Sequence, residues 1–191
     1  VVGLLQGRCE FGPRALGFRS ILADARSEKM QSFLNLATKF RESFRPFAPI
    51  CLKEHAHEFF EEIHDSPYML LVDQVKASRC TKGTGDEHKL NMVEWVNRSR
   101  SDVPAVTHVD YSARIQTVHR DRNARLHDIL TAFHQRTGYP ILVNTSFNVR
   151  SEPIVCTPAD AYRCFMRTGI DILVLENYVL TKPEQPPWKE T

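Results

Sequence analysis

One short segment of the chain combines cations at a spacing that suits the binding of an anion. Lys39 and Arg41 are followed by Arg45, six residues after the lysine. Apolar periodicity predicts a helix that ends near Phe40, so these cations leave it on a turn and are able to converge on one ligand. Lysine serves phosphate as a point charge, and arginine serves it as a bidentate clamp. The alternative is that the three cations only complement the negative end of the helix dipole.

A second cationic segment is the loop Gly7–Gly17, which also carries Arg8 and Arg14. Its glycines free the backbone and Pro13 restricts it, which is typical of a tight loop. Two arginines in such a loop are well placed to meet an anion.

Small polar residues follow a predicted apolar strand in the segment Asn144–Asn148 (Asn-Thr-Ser-Phe-Asn). In open α/β sheets, ligands bind beyond the carboxyl ends of the strands. Hydroxyl and amide groups there are able to bind phosphate oxygens or a carbonyl group. An ordinary turn is the alternative, because Asn and Ser are common turn residues.

The segment Thr107–Arg114 offers Arg114 as a further phosphate clamp. His108 and Asp110 lie two residues apart and would share one face of a strand. Two ligands are too few for a metal site, so the pattern favours a hydrogen-bonded structural pair. Neither a G-x-x-x-x-G-K-[ST] phosphate loop nor a G-x-G-x-x-G fingerprint is present, and no nucleophile elbow is recognisable.

Charge is unevenly distributed along the 191 residues, although the formal net charge is only +2. The 25 cations comprise 17 Arg and 8 Lys, and arginine keeps its charge when buried. Residues 1–50 carry eight cations and four anions, whereas residues 51–75 carry one cation and six anions. The near-neutral total disfavours nucleic acid as a partner. The uneven pattern indicates either an anion site in the first segment or simple variation in surface charge.

Composition excludes several classes of protein. Hydrophobic residues make up 42% of the chain, and no apolar run approaches the ~20 residues of a membrane-spanning helix. The five cysteines form no C-x-x-C pair, which argues against a zinc ribbon or a secreted disulfide framework. We therefore expect a reduced, cytoplasmic protein. Because the chain opens at Val1, we also expect it to be part of a longer protein.

Alternating strand and helix patterns predict an α/β fold with a mixed sheet. Thr157, Pro158 and Asp160 form the start signal of one helix, and Gly138 is the expected C-cap of another. The remaining predictions are helices after Ser27, over 54–62 and over 124–136, an extended edge segment over 45–52, strands over 1–6, 68–75, 105–109, 113–118, 140–145, 149–156 and 171–181, and a long loop over 76–102.

Taken together, the motifs resemble the C-terminal domain of O-carbamoyltransferases of the NodU/CmcH/TobZ type, which carbamoylate nodulation factors, cephem antibiotics and aminoglycosides. The resemblance covers nearly the whole chain and is weakest over 76–102. The motifs that carry it are Gly7–Gly17 (Gly-Arg-Cys-Glu-Phe-Gly-Pro-Arg-Ala-Leu-Gly), Lys39–Pro49, Ser112–Gln116, Asn144–Asn148 and Glu152–Val155.

The resemblance implies a YrdC-like domain, a twisted mixed β-sheet flanked by helices, over residues 1–182, with a Pro-rich tail or linker over 183–191. It implies that ATP and carbamoyl phosphate react here to give carbamoyl-adenylate, with Mg²⁺ on the phosphates. A separate N-terminal domain, absent from this chain, would pass the carbamoyl group to a hydroxyl acceptor. The alternative is a YrdC-like module that binds RNA or a nucleotide without catalysis of its own.

The resemblance also implies roles for eight residues. YrdC-like domains have Lys-x-Arg and Ser-x-Asn signatures around an ATP site. The resemblance implies no metal ligand among the residues of this chain. One departure is Ser151, where the family pattern has glycine. The implied catalytic residues are Lys39, Arg45, Arg14 and Arg114, and the implied substrate- and ATP-binding residues are Arg41, Asn144, Ser146 and Asn148.

Overall fold

A seven-stranded mixed β-sheet forms the centre of the molecule. The computed structural model describes residues 1–62, 65–81 and 89–188. The strands are β1 (Val2–Leu5), β2 (Arg19–Asp24), β3 (Ala48–Leu52), β4 (Val72–Gln74), β5 (Ser112–Arg114), β6 (Gln116–Val118), β7 (Ile141–Ser146), β8 (Ile172–Leu175) and β9 (Tyr178–Thr181). The central sheet has the order β6-β3-β7-β2-β1-β8-β9, and β4 and β5 form a separate two-stranded sheet. The predicted mixed sheet flanked by helices is confirmed.

The central sheet combines two parallel strand pairs with four antiparallel ones. Strand β1 is parallel to β8 and antiparallel to β2, and β3 is parallel to β6 and antiparallel to β7. The central β7 also pairs antiparallel with β2, where Asn144 lies opposite Leu22 and Ser146 lies opposite Ser20. Asn144 is thus held between β2 and β3, whereas Ser146 pairs with β2 alone.

The described residues contain four α-helices. They are α1 (Met30–Phe33), α2 (Met92–Asn97), α3 (Ala124–Thr137) and α4 (Pro158–Arg167). A π-helical turn over Leu34–Thr38 continues α1, and 3₁₀ turns lie at Lys53–Glu58, Ala77–Arg79, Pro104–Val106 and Lys182–Glu184. Across the part of the chain that is described, no helix is long and apolar enough to cross a membrane.

The helix signals in the sequence are confirmed for α3 and α4. The Thr157 side chain accepts a hydrogen bond from the backbone N–H of Asp160, and the Asp160 carboxylate accepts one from the backbone N–H of Thr157, which completes a capping box. Gly138 caps α3 in the left-handed conformation at φ 77°.

The two faces of the sheet bury separate hydrophobic clusters. Successive side chains of a strand point to opposite faces, so Leu4 and Leu5 of β1 enter different clusters. One cluster contains Leu126 and Leu130 of α3, and the other contains Phe165 of α4. Each face is therefore closed by a different helix.

One prediction about strand position is wrong, and one strand was not predicted. The segment 45–52 was expected to be an extended sheet edge, but its strand β3 is fully buried between β6 and β7. Pairing with β6 begins only at Ile50. The backbone of Pro49 therefore has no strand partner on that side, and the missing N–H of proline is tolerated there. The six-residue β2 was not predicted at all, because polar residues at both ends hide its short apolar run.

The predicted buried strand over 68–75 is also wrong. Only β4 is extended there, and Val72 is exposed together with Leu70 and Leu71. The outer two-stranded sheet offers this run a single partner strand, so only Met69 and Val75 are buried.

Four further segments differ from their predictions. Residues 105–109 contain no strand, because Pro104 begins a 3₁₀ turn that buries Ala105 and Val106. Residues 149–156 contain no strand, because the chain turns over 150–152, with Ser151 at φ 65°. The predicted helix over 54–62 is a 3₁₀ turn that ends at Glu58. The predicted loop over 76–102 contains a 3₁₀ turn and α2, and its residues 82–88 lie outside the described part.

A candidate anion-binding site

Four arginines line one cavity of about 170 Å³ beyond the end of β7. They come from four separate places in the chain: the loop 7–17, the turn after α1 and its π turn, the approach to β3, and the end of β5. Asn144 and Ser146 of β7 also line the cavity. The four arginines are Arg14, Arg41, Arg45 and Arg114.

The nearby Glu42 carboxylate opposes the positive charge of this cavity, but the arginines that line it are not paired in salt bridges with described carboxylates. None of the four guanidinium groups forms a salt bridge with a described carboxylate, although salt bridges occur nearby, such as the one between Arg150 and Glu42. Burial, and then neighbouring Arg45, lowers the pKa of Arg41 to about 10. Burial, and then neighbouring Arg14, also lowers the pKa of Arg114. Close cations without a salt-bridge partner are stabilised by a bound anion.

Lys39 lies behind Ser146 and is only 3% exposed. Its ammonium group donates to the backbone carbonyl of Ser146, to the carbonyl of Asn148 at 3.0 Å and to Oδ1 of Asn148 at 2.9 Å. Oγ of Ser146 lies 3.4 Å from Nζ and donates a 2.7 Å hydrogen bond to Asn148 Oδ1. The lysine and both polar residues therefore form one hydrogen-bonded unit.

Lys39 has no carboxylate partner in the described part of the chain. Burial, and then the charge of Arg41, lowers its pKa from 10.5 to about 7, and the Cys164 thiol opposes this shift. The charge of Lys39 is therefore sensitive to pH in the neutral range, where a bound anion would favour the ammonium form.

The π-helical turn before Lys39 sets the direction of the cationic segment. The backbone N–H of Lys39 donates to the carbonyl of Leu34, five residues earlier, at 2.8 Å. Phe40 then adopts φ 51°, an uncommon conformation for a residue with a side chain, and its ring is half exposed. Lys39 and Arg41 thus leave the helix toward the cavity, while Phe40 faces outward.

Asn35 organises the turn that carries Arg41 and Arg45. It is fully buried, and its amide donates to the carbonyls of Ser43 at 2.9 Å and Arg45 at 2.8 Å. Its Oδ1 accepts a 2.6 Å hydrogen bond from Nε of Arg41. The Arg41 guanidinium also lies 4.9 Å from the centre of the Phe47 ring. Both contacts hold the guanidinium in place before any ligand binds.

Glu10 closes the loop that carries Arg14. One carboxylate oxygen accepts backbone hydrogen bonds from Leu16 at 2.7 Å, Phe18 at 2.9 Å and Arg19 at 3.2 Å. The loop then ends at Gly17, where φ is 103° and an added Cβ would lie 2.4 Å from the Leu126 side chain. Only glycine fits both the conformation and the space.

Asn144 joins the loop to the sheet. Its amide donates to the carbonyl of Ala15 at 2.9 Å and to Oε1 of Gln116 at 2.8 Å. Gln116 in turn donates to the carbonyl of Leu16 at 3.1 Å. Asn144 is 1% exposed and its Oδ1 has no hydrogen-bond partner, so a buried acceptor remains at the cavity wall.

The structure brings all eight predicted site residues together. Six of them line the cavity, and the other two, Lys39 and Asn148, stand directly behind Ser146. Sequence reasoning missed the residues that position them. Asn35 and Gln116 could have been found as polar residues at positions that the apolar pattern assigns to the interior.

His108 and Asp110 form the predicted structural pair through Ser112. The Ser112 hydroxyl donates to Asp110 at 2.7 Å and lies 3.1 Å from Nδ1 of His108. Within the described ranges, no group of three or more His, Cys, Asp or Glu side chains has the arrangement of a metal site.

This mixed α/β domain presents four guanidinium groups in one cavity, an arrangement whose charge suits an anion. The cluster suits phosphate or carbamate oxygens, since arginine binds them bidentately. A family model described as "Carbamoyltransferase C-terminus" matches residues 1–182. The chain therefore belongs to the carbamoyltransferase C-terminus family.

Similar proteins carry this region as a part of a longer chain. The chain is 57% identical over 186 residues to protein sll1178 of Synechocystis, 44% identical over 191 residues to nodulation protein NolNO of Sinorhizobium fredii, and 43% identical over 147 residues to nodulation protein U of the same species. These matches cover 97%, 98% and 77% of the chain, but only 30%, 25% and 23% of the relatives. The chain thus spans less than a third of each.

Proposed function

We propose that this domain binds ATP and carbamoyl phosphate and forms carbamoyl-adenylate. The observation that supports this most strongly is the cavity lined by Arg14, Arg41, Arg45 and Arg114, in which no guanidinium group forms a salt bridge with a described carboxylate. Family membership supports a transferase of the carbamoyl group.

The reaction needs charge stabilisation and positioning more than a protein nucleophile. Water would first release carbamate from carbamoyl phosphate, with phosphate as the other product. A carbamate oxygen would then attack the α-phosphorus of ATP, and the bond to pyrophosphate would break. Negative charge grows on the phosphoryl oxygens in this step, and the guanidinium groups lining the cavity are positioned to stabilise it.

Two residues at the cavity wall suit the carbamoyl group. Its amino group is a donor, and the unpartnered Oδ1 of Asn144 is a buried acceptor. Its oxygens are acceptors, and they fit Arg14 or Arg114. An acceptor left unpaired in the interior is costly, so a ligand that satisfies it binds with a gain in free energy.

In this proposal, magnesium is bound by the phosphates of the nucleotide and not by the protein. The cavity is lined by cations and amides, which do not fit a metal ion held by the protein. Phosphate oxygens hold Mg²⁺ well, with few protein ligands. No step is assigned to the ion.

Transfer to a hydroxyl acceptor is proposed for another region of the full-length protein. The relatives are more than three times as long as the region matched here, which leaves room for an N-terminal domain that uses the carbamoyl-adenylate. Acceptor recognition would lie mainly in that domain.

The test is exchange of labelled pyrophosphate into ATP by this chain, with and without carbamoyl phosphate. Reversible adenylation predicts exchange that requires carbamoyl phosphate. Arg114→Gln should lower the exchange rate about 100-fold, because it removes one stabilising donor. The matched control is Arg120→Gln, since Arg120 is exposed and pairs with Asp128 away from the cavity.

Two results would contradict the proposal. A folded chain that binds ATP without any carbamoyl phosphate-dependent exchange is not an adenylating domain. Equal losses in Arg114→Gln and Arg120→Gln would place the nucleotide outside this cavity.

A further inference from the structure

The five cysteines differ sharply in exposure. Cys51 and Cys164 are buried and Cys80 is half-buried, whereas Cys9 and Cys156 are exposed. Burial raises the pKa of Cys164 to about 11 and raises that of Cys51 further. A thiol of this kind is protected from reagents in solution. Oxidation chemistry at the surface is therefore confined mainly to Cys9 and Cys156.

One arginine joins the segments that carry these two exposed cysteines, although 147 positions separate them. Arg19 connects their segments, because its guanidinium donates to the carbonyl of Gly7 at 3.2 Å and to the carbonyl of Cys156 at 3.3 Å. Cys9 follows Gly7 by two residues. Partial burial and Glu10 raise the pKa of the Cys9 thiol, and the charge of Cys156 raises it further, while Arg19 opposes them.

We propose that Cys9 and Cys156 form a reversible disulfide that weakens anion binding in the cavity lined by Arg14, which lies in the same loop as Cys9. The bond would fasten the start of the loop 7–17 to the residue before the N-cap of α4. The Cys9 thiol now lies 4.0 Å from the Glu10 carboxylate, which closes the loop. Drawing Cys9 toward Cys156 displaces Glu10, and Arg14 then loses its position at the cavity wall.

The chemistry balances with a peroxide as the oxidant. One deprotonated thiol attacks a peroxide oxygen, which gives a sulfenic acid and releases the other oxygen as water. The second thiolate attacks that sulfur, an S–S bond forms, and a second water leaves. The two sulfurs are oxidised and the peroxide is reduced. A dithiol reverses the bond by exchange.

Disulfide mapping tests the site directly. Trypsin releases the two cysteines on separate peptides, 9–14 and 151–163, while Cys164 lies on the next peptide. After mild treatment of the folded chain with hydrogen peroxide, we expect these two peptides to appear joined, with two hydrogen atoms lost. Dithiothreitol should separate them. Absence of the joined pair, while Cys9 or Cys156 is oxidised singly, would overturn the proposal.

The effect on the cavity is measured with pyrophosphate as the probe, independently of any adenylation activity. We expect the oxidised chain to bind pyrophosphate about tenfold more weakly and to recover with dithiothreitol. Cys9→Ser and Cys156→Ser should each abolish this response, and Cys80→Ser should keep it. If the chain with the Cys9–Cys156 disulfide bound pyrophosphate with unchanged affinity, the proposed effect on anion binding would be overturned. Pyrophosphate that fails to bind the reduced chain would instead contradict the proposed function, while the mapped bond would stand.

Discussion

Nζ of Lys39 donates a 2.9 Å hydrogen bond to Oδ1 of Asn148, although 109 positions separate the two residues. This contact joins the end of the π-helical turn to the segment after β7. Asn148 is itself fixed, because its amide donates to the carbonyl of Glu152 at 2.8 Å. The site lysine is thus held by protein oxygens before any ligand arrives, and a bound phosphate has to replace at least one of them.

Anion affinity should decrease as pH rises through the neutral range. The pKa of Lys39 is about 7, so its positive charge is lost between about pH 6 and 8. Losing one charged hydrogen-bond donor weakens binding by about tenfold. Calorimetric titration with pyrophosphate from pH 6 to 9 measures this effect. In Lys39→Met the decrease should be much smaller, and an equal decrease in both proteins would contradict the assignment to Lys39.

The contribution of Lys39 to stability, unlike the anion affinity, should increase as pH rises. The unfolded chain holds a proton on Lys39 up to a pKa of 10.5, whereas the folded chain releases it near pH 7. The unfolded state therefore binds more protons between these values, and the contribution of Lys39 to the free energy of unfolding rises with pH. Urea denaturation at several pH values, compared between the wild type and Lys39→Met, isolates this contribution. A wild-type advantage that grows toward low pH would refute the lowered pKa.

Lys182 should affect stability without affecting anion binding. Like Lys39, it donates to backbone carbonyls, those of Phe165 and Thr168, but it does so at the end of α4. Lys182→Met removes these contacts and should cost about 1–2 kcal/mol of unfolding free energy. That corresponds to a Tm lower by roughly 2–8 °C. Thermal unfolding and pyrophosphate titration measure the two effects, and lost affinity in a folded variant would contradict the separation.

Glu10 should influence anion affinity through the position of Arg14. Glu10→Ala removes the acceptor for three backbone N–H groups of the loop. We expect about tenfold weaker pyrophosphate binding and a loss of about 1–3 kcal/mol in unfolding free energy. Glu28→Ala is a suitable control, because Glu28 is exposed and distant in sequence from the loop. Wild-type affinity in Glu10→Ala would show that the loop keeps its shape by other contacts.

Ser151→Gly should stabilise the protein. Ser151 has φ 65°, a conformation that costs an L-residue about 1 kcal/mol and costs glycine almost nothing. The greater freedom of glycine in the unfolded chain offsets part of the gain, so we expect about 0.5 kcal/mol. Ser151→Val should be destabilising by more than this amount. Urea denaturation of both variants measures the difference. If Ser151→Val were more stable than the wild type, the backbone at Ser151 would not be strained.

The local features of this protein were predictable from sequence because their causes are local. A capping box needs only Thr157 and Asp160, three positions apart, and the helical termination at Gly138 needs one residue without a Cβ. The candidate site residues were predicted partly from cation spacing and partly from motif resemblance. Both sources identify residue types, but neither contains a distance between separate segments.

Strand position and site geometry depended on contacts between residues that are distant in sequence. Residues 48–52 looked like an edge because of their prolines, yet pairing with β6 and β7 places them inside the sheet. The roles of Asn35 and Gln116 were equally hidden, since their partners are backbone carbonyls of separate loops.

The sequence by itself determined which cations this protein has, where its main helices begin and end, and which family its motifs resemble. Only the tertiary structure decided that Arg14 and Arg114 are neighbours, and that Lys39 is buried against Asn148. The physical reason is that desolvation and charge proximity exist only after distant strands have paired. The net charge of the chain is the same before and after folding, but folding concentrates part of it in one cavity.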